Sequence, residues 1–344
     1  MSMDKQHECT DPILIYGGGA IGGTIAAYWA RAGVDVLMVD ALAEHVQQCR
    51  TARIVIQGRL GDFSQRVPAV TPAELSGTFS RVVLAVKSQN TEAALQTIQP
   101  HLAKDGFVLS AQNGLNELVI AQHIGRARTM GCYIGFGADW AGPGQIVYGG
   151  RGEVVVGELD GEIRDRTREM HRLLSIFEPE ARITSNLWGF LWSKLALAAI
   201  LLATALDNEG MDVSIGNAEL FPVFDGLARE VVAVAHAHGI RPEPFRSFDP
   251  MAFMPGTSAS CSRRALETLS QRWNNSDKKH SGFWRDLAVR KRPTEVDGLM
   301  LPVLQHAGQA GIECPLVHRL IDLVHEVERG GLKQSTATLE LLLD

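Results

Sequence analysis

Nothing in the chain spaces its cysteines as metal ligands. They number five in 344 residues, at positions 9, 49, 132, 261 and 314. Odd in number and far apart, they exclude a disulfide framework and fit a reducing compartment. A basic surplus is missing too. Lysine and arginine total 33 against 39 acids, a formal net charge of −6, so general nucleic-acid binding is not expected. No apolar run reaches the ~20 residues of a membrane span; the longest, residues 195–205, is too short. The first residues carry Asp4 and Glu8 and no apolar core before Pro12, unlike a secretory signal. These absences leave the expectation of a cytoplasmic globular protein with neither membrane nor nucleic acid as partner. What is present is enough for two domains with substantial cores: 45% of the residues are hydrophobic.

The most informative stretch is Ile13-Leu14-Ile15-Tyr16-Gly17-Gly18-Gly19-Ala20-Ile21-Gly22-Gly23. A short apolar strand runs into glycines and then into an alanine-rich helical pattern. Gly17, Gly19 and Gly22 fill the G-x-G-x-x-G slots of a dinucleotide-binding turn. Gly17 permits the turn, Gly19 lets a pyrophosphate approach the backbone, and Gly22 lets the helix sit close to the strand. Gly18, Ala20 and Ile21 complete the phosphate loop, whose amides and helix dipole favour an anion. Residues 34–39 read as a second strand ending in Asp40, near the spacing of a ribose-binding acid.

Strand and helix patterns alternate as far as residue 184, which predicts a doubly wound α/β sheet over residues 1–185. Residues 81–87 read as a buried parallel strand ending at Lys87, and residues 107–110 as another leading to Asn113. Val147 and residues 153–156 read as antiparallel strands joined by Gly149-Gly150. From residue 186 the pattern becomes helical, predicting an all-α second domain over residues 186–344. Pro302 is expected to kink a helix over residues 294–310. The tail from Leu332 either extends the last helix or lies loose.

Four local patterns resemble the ketopantoate reductase (2-dehydropantoate 2-reductase) family. They are residues 17–22, Gln112-Asn113-Gly114-Leu115, Leu191-Trp192-Ser193-Lys194-Leu195 and Arg292-Pro293-Thr294-Glu295-Val296-Asp297. The resemblance runs from Ile13 to about His325. It implies an N-terminal Rossmann domain, a helical C-terminal domain and hydride transfer from a reduced nicotinamide to a 2-oxo acid, in pantothenate biosynthesis for 2-dehydropantoate itself. It implies Lys194 as general acid, Glu295 as a substrate-contacting catalytic carboxylate, and Asn113 beside nicotinamide and substrate. It matches Lys87 to a cofactor-binding lysine, and Ser281 and Asn217 to substrate-binding positions.

The chemistry is coherent with these roles. Hydride addition builds negative charge on a carbonyl oxygen, and a cation or proton donor there stabilises the transition state. Lys194 follows Trp188 and Trp192 and precedes an apolar helix, where partial desolvation lowers a lysine pKa. Taken singly, each residue also has a structural reading. Lys194 can snorkel at a helix start, Glu295 can complement a helix N-terminus, Asn113-Gly114 can be a turn, and Lys87 a solvated strand end. The run 290–292 reads as an exposed basic turn.

Two departures from the family separate this chain from its pattern. The basic residue that usually follows the second strand and holds a 2′-phosphate is replaced by Asp40-Ala41-Leu42. This favours NAD(H) over NADP(H). The asparagine one turn after the catalytic lysine is replaced by Ala198, four residues on and on the same helix face. That loss points to a 2-oxo acid other than 2-dehydropantoate. The alternatives are a paralogous dehydrogenase of another hydroxy acid and a non-catalytic NAD(H) sensor. A homodimer through exposed helical faces is possible on this reading.

Overall fold

A computed structural model describes residues 11–246 and 248–343. Asp4, Glu8 and Cys9, singled out above, lie outside the described residues. The chain divides into two units, Met1–Leu187 and Trp188–Asp344.

The first unit runs β1 (Ile13–Tyr16), α1 (Ala20–Arg31), β2 (Val36–Val39), α2 (Ala43–Thr51), β3 (Ile54–Gly58), β4 (Phe63–Gln65), β5 (Ala69–Val70), β6 (Phe79–Leu84), α3 (Thr91–Ile98) and β7 (Leu102–Ser110). It continues with α4 (Asn116–Ile124), β8 (Thr129–Ile134), β9 (Ala138–Gly142), β10 (Gln145–Tyr148), β11 (Val154–Glu158), α5 (Asp165–Leu174) and β12 (Arg182–Thr184). Eight strands form the main sheet in the order β12-β11-β8-β7-β6-β1-β2-β5. Strand β1 shows why the sheet is covered on both faces. Side chains alternate along a strand, so Ile13 and Ile15 enter one core with Ile25 and Trp29 of α1. Leu14 and Tyr16 enter another with Leu95 and Ile98 of α3 and Ile120 of α4. All four β1 residues are buried, as a central parallel strand requires. The chain leaves β1 toward β2 and later returns to its other side as β6, with both pairs parallel. The carboxyl ends of β1 and β6 therefore form the switch point where such sheets bind ligands.

A second sheet, β4-β3-β10-β9, corrects one expectation. The strands flanking Gly149-Gly150 do not pair with each other. β10 lies parallel to β3, with Gln145 opposite Val55, and β11 lies antiparallel to β8, with Val156 opposite Cys132. The glycines serve as a crossing between sheets. Gly149 N–H donates to Gly137 O at 2.7 Å, and a Cβ on Gly152 would lie 2.1 Å from Phe136 N. The run passes close against residues 135–137 instead of folding back on itself.

The second unit holds α6 (Leu187–Thr204), whose first residue closes the first unit, then α7 (Met211–Gly216), α8 (Phe221–Ala237), α9 (Ala259–Asn274), α10 (Gly282–Ala288), α11 (Val296–Ala310), α12 (Pro315–Glu328) and α13 (Thr336–Glu340). α6 has 18 residues and is long and apolar enough to cross a membrane by length and composition, longer than the uninterrupted run read from sequence. In the structure 83% of it is buried, which makes it a core helix. α11 runs through Pro302, and His306 Nδ1 donates to the Pro302 carbonyl at 2.8 Å. The tail is ordered against the core: Ser335 N–H donates to Leu206 O at 2.8 Å, and Thr336 Oγ1 to Asp207 at 3.1 Å.

None of the described cysteines is in a disulfide, and three are buried. Burial, with the Asp40 charge second, pushes Cys49 up to about 12. Burial beside Glu230 does the same to Cys314. The Ser258 hydroxyl donates to Cys261 Sγ and lowers that thiol, with Arg264 assisting. The thiolate is the nucleophile, so iodoacetamide at mildly alkaline pH should alkylate Cys261 well before Cys49, Cys132 or Cys314. Peptide mass spectrometry over a time course reads this; earlier modification of Cys49 would contradict the packing around it.

Candidate functional site

The glycine turn is built by close approach. Gly17 has φ +106°, and a Cβ there would lie 2.8 Å from Ala85 C and Val86 N, so the turn is pressed onto the end of β6. A Cβ on Gly22 would lie 1.9 Å from Gly17 O. Only glycine lets α1 descend that far. Gly19 differs: a Cβ there meets nothing within 4 Å. Gly19 is the N-cap of α1, and no acid stands in that helix's first turn. The protein leaves space beside this backbone, while Gly19, Ala20 and Ile21 are partly exposed. A phosphate fits here on both shape and charge, because the first amides of a 12-residue helix have no partners within it.

Gly18 is held from two sides. Its N–H donates to Asp40 Oδ2 at 2.8 Å, while Asp40 Oδ1 accepts from Leu42 N–H at 2.9 Å. Its carbonyl lies 2.8 Å from Nε2 of His45, and His45 Nδ1 accepts from Gly144 N–H at 2.9 Å. Because Nδ1 must accept, Nε2 carries the proton and donates to Gly18 O. His45 is 1% exposed. It was not singled out from sequence. Its only signal there is a polar residue at the inward position of α2, four residues before Cys49, with no mark of the partner 99 residues away.

The loops after β6 and β7 are locked together. Gln112 Nε2 donates to Val86 O at 2.9 Å and to Thr91 Oγ1 at 2.8 Å. Asn116 Nδ2 donates to Ser88 Oγ at 3.1 Å and Asn113 O at 2.5 Å. Thr91 Oγ1 donates to Asn116 Oδ1 at 2.8 Å. This network brings the Lys87–Ser88 end of β6 beside Asn113. Lys87 is half-buried at the N-cap of a 3₁₀ turn. Asn113 contributes its backbone carbonyl to the network, and the residue is half-buried. Gln112 carries no role in the sequence reading beyond membership of its motif, and Asn116 none at all, because most of their bonds join loops about 25 residues apart.

In the second unit, Trp188, Lys194, Ala198 and Leu201 are the half-buried positions of a mostly buried helix, and the last three belong together. Their spacing of four and then three residues puts them on one face of α6. Ser193, 0% exposed, donates to Gly189 O at 2.7 Å and accepts from Glu243 N–H at 3.0 Å. It fastens residue 243 to the helix turn beside Lys194. Ser281 caps α10, accepting from Trp284 N–H at 3.1 Å and donating to Leu201 O at 3.4 Å. It therefore reaches the same helix as Lys194, seven residues on, about 10 Å along the axis. Glu295 is half-buried at the N-cap of α11. Its neighbour Thr294 is pinned by Glu328, which accepts from the Thr294 amide at 2.7 Å and hydroxyl at 2.8 Å. Asn217 caps a 3₁₀ turn, accepting from Glu219 N–H at 3.0 Å. That oxygen is engaged locally.

Residues 13–161 match the family model described as ketopantoate reductase PanE/ApbA, and residues 186–328 match the corresponding C-terminal model. The chain is 26% identical over 327 residues to a 2-dehydropantoate 2-reductase of Halobacterium salinarum, covering 93% of this chain and 99% of that one. It is 24% identical over 322 residues to one from Pyrococcus horikoshii, covering 93% and 98%. Among solved structures, D-mandelate dehydrogenase with NADH and anilino(oxo)acetate is similar at a TM-score of 0.80 and 21% identity, covering 93% of this chain and 99% of that one. A PanE/ApbA family ketopantoate reductase from Ralstonia eutropha is similar at 0.77 and 23%, with the same coverage.

Truncating His45 to alanine would leave the Gly18 carbonyl and the Gly144 amide without their partner. Each orphaned buried group costs about 1–3 kcal/mol, so His45→Ala should lower unfolding stability by about 2 kcal/mol or more in urea titrations. A change within experimental error would remove His45 from its place as the tie between glycine turn and second sheet.

Proposed function

The chain belongs to the ketopantoate reductase family, and from that premise we propose that it reduces a 2-oxo acid with NADH, Lys194 acting as general acid. Its class is that of oxidoreductases acting on CH–OH groups. The observation that carries the reading is the glycine turn at the switch point, with open space beside Gly19 and an acid, Asp40, built into its base. Residues 17–22, Asp40, Lys87 and Asn113 would hold the dinucleotide. When bound, a reduced nicotinamide supplies hydride.

The protein's own part is electrostatic and protonic. As charge grows on the ketone oxygen, the Lys194 ammonium stabilises it and then gives up a proton. Glu295 orients substrate and lysine. The Asn113 amide donates to substrate, and Ser281 and Asn217 bound the substrate site. Removing such an acid costs about 10²–10⁴ in rate. Lys194→Ala should lower kcat by that factor and leave NADH affinity, read by fluorescence titration, unchanged. An unchanged kcat would remove Lys194 from the chemistry. NADH binding without turnover of any 2-oxo acid by the wild type would instead support a sensor.

Asp40 supports the cofactor preference. Its carboxylate is fixed by two amide donors, so a 2′-phosphate placed against it meets a fixed negative charge, whereas a ribose hydroxyl can donate to it. The ratio of kcat/KM for NADH over NADPH should exceed ten. A ratio below one would overturn the preference.

Ala198 and Leu201 support a second refinement. They make the half-buried face beyond Lys194 apolar, and an apolar wall cannot reward substrate hydroxyls with hydrogen bonds. The substrate we favour is a 2-oxo acid with a less hydroxylated side chain than 2-dehydropantoate; an aromatic 2-oxo acid is the natural first probe, given the mandelate dehydrogenase likeness. A keto-acid panel decides: highest kcat/KM on 2-dehydropantoate would return the chain to the reaction for which its relatives are named.

A further inference from the structure

A cavity of about 610 Å³ opens within the second unit, lined by Asn208, the end of α10, residues 291–293, the end of α12 with residues 329 and 330, and residues 332–334. Its volume falls in the range of small-molecule sites. Lys194, Ser281 and Glu295 are not among its lining residues. The wall mixes apolar surface from Leu287, Pro293 and Leu332 with four cations, Lys291, Arg292, Arg329 and Lys333.

The two arginines already have partners. Arg292 donates to Asp286 at 2.8 Å, and Arg329 to Glu326 at 2.6 Å. Glu328, the one acid on the wall, accepts from Thr294. The two lysines are exposed and, among the described residues, make no ion pair, in a protein of net charge −6. They reach the cavity from loops 42 residues apart in sequence. Lys291 does so from a left-handed backbone, φ +50°, a conformation disfavoured for a residue with a side chain. Backbone bonds on either side impose it: Arg290 N–H donates to Arg285 O at 2.9 Å and Arg292 N–H to Asp286 O at 3.0 Å. A held, disfavoured backbone that brings a cation to a cavity is the kind of strain found at ligand clamps.

We propose that this cavity is a second binding site, separate from the reductase machinery, for a phosphate-bearing anion with an apolar body. Lys291 and Lys333 supply unspent positive charge, the two guanidinium groups line the same wall, and Leu287, Pro293 and Leu332 cover the hydrocarbon or ring. Ammonium and guanidinium groups together are the usual recognition set for phosphate oxygens. The lining acid Glu328 also pins Thr294, so an occupied site would adjoin the start of α11.

Isothermal titration of the full chain with inorganic pyrophosphate tests this, with citrate as a polycarboxylate comparison and NADH present to fill the glycine turn. Wild type should bind pyrophosphate saturably and more tightly than citrate. Lys291→Gln with Lys333→Gln, both at exposed positions, should weaken pyrophosphate at least about tenfold and leave thermal stability unchanged. Absence of saturable binding, or equal affinity in the double variant, would overturn the site. Citrate binding as tightly as pyrophosphate would overturn the phosphate assignment. The titration reads binding at these two lysines, so failure of the reductase reading would not alter its outcome.

Discussion

One peptide group governs the first unit. Gly18 is buried, and its amide and carbonyl both need partners there. The amide is taken by a carboxylate at the end of β2 and the carbonyl by an imidazole from α2. A side chain on Gly18 is forbidden by Met38 and His45, which would stand within about 3 Å of its Cβ. The loop that would cradle phosphates is thus shaped by its own walls before any ligand arrives. Binding then costs less ordering entropy than it would in a loose glycine loop. Asp40 holds the turn through the Gly18 amide, and on the proposed reading the same carboxylate would meet the ribose.

The second unit depends on a different constraint. α6 is buried along almost all of its length, so any position left partly open is conspicuous. The open positions are Trp188 in the first turn and then Lys194, Ala198 and Leu201 along one face. An ammonium on an apolar helix is tolerable only where it keeps a route to water or to a ligand. Ser193 and the Glu243 amide secure the backbone beside it.

Local patterns were legible wherever one element could be read alone. The β1 turn, Asp40, the buried strand ending near Lys87 and the long α6 all follow from periodicity and glycine placement. What escaped reading was pairing at a distance. β10 joins β3 across about 90 residues, and nothing in Gln145-Ile146-Val147-Tyr148 names that partner over the nearer β11. His45 looked like one more polar residue of an amphipathic helix, because its value lies in Gly18 and Gly144. Gln112 and Asn116 were hidden for the same reason, as their bonds cross between loops. Ser281 and Asn217 entered through the family resemblance alone, and only coordinates show that the first caps α10 and the second a 3₁₀ turn.

The second sheet imposes an order of events on the growing chain. β3 leaves the ribosome early but receives its parallel neighbour only with β10, and His45 meets the Gly144 amide at the same moment. Until then the α2 imidazole has a carbonyl to hold and nothing to receive from. A nascent chain that already contains β1, α1 and β2 therefore carries a nucleotide loop whose far anchor has not yet been synthesised. The glycine turn thus gains its full set of anchors only after the hairpin of β9 and β10 has emerged.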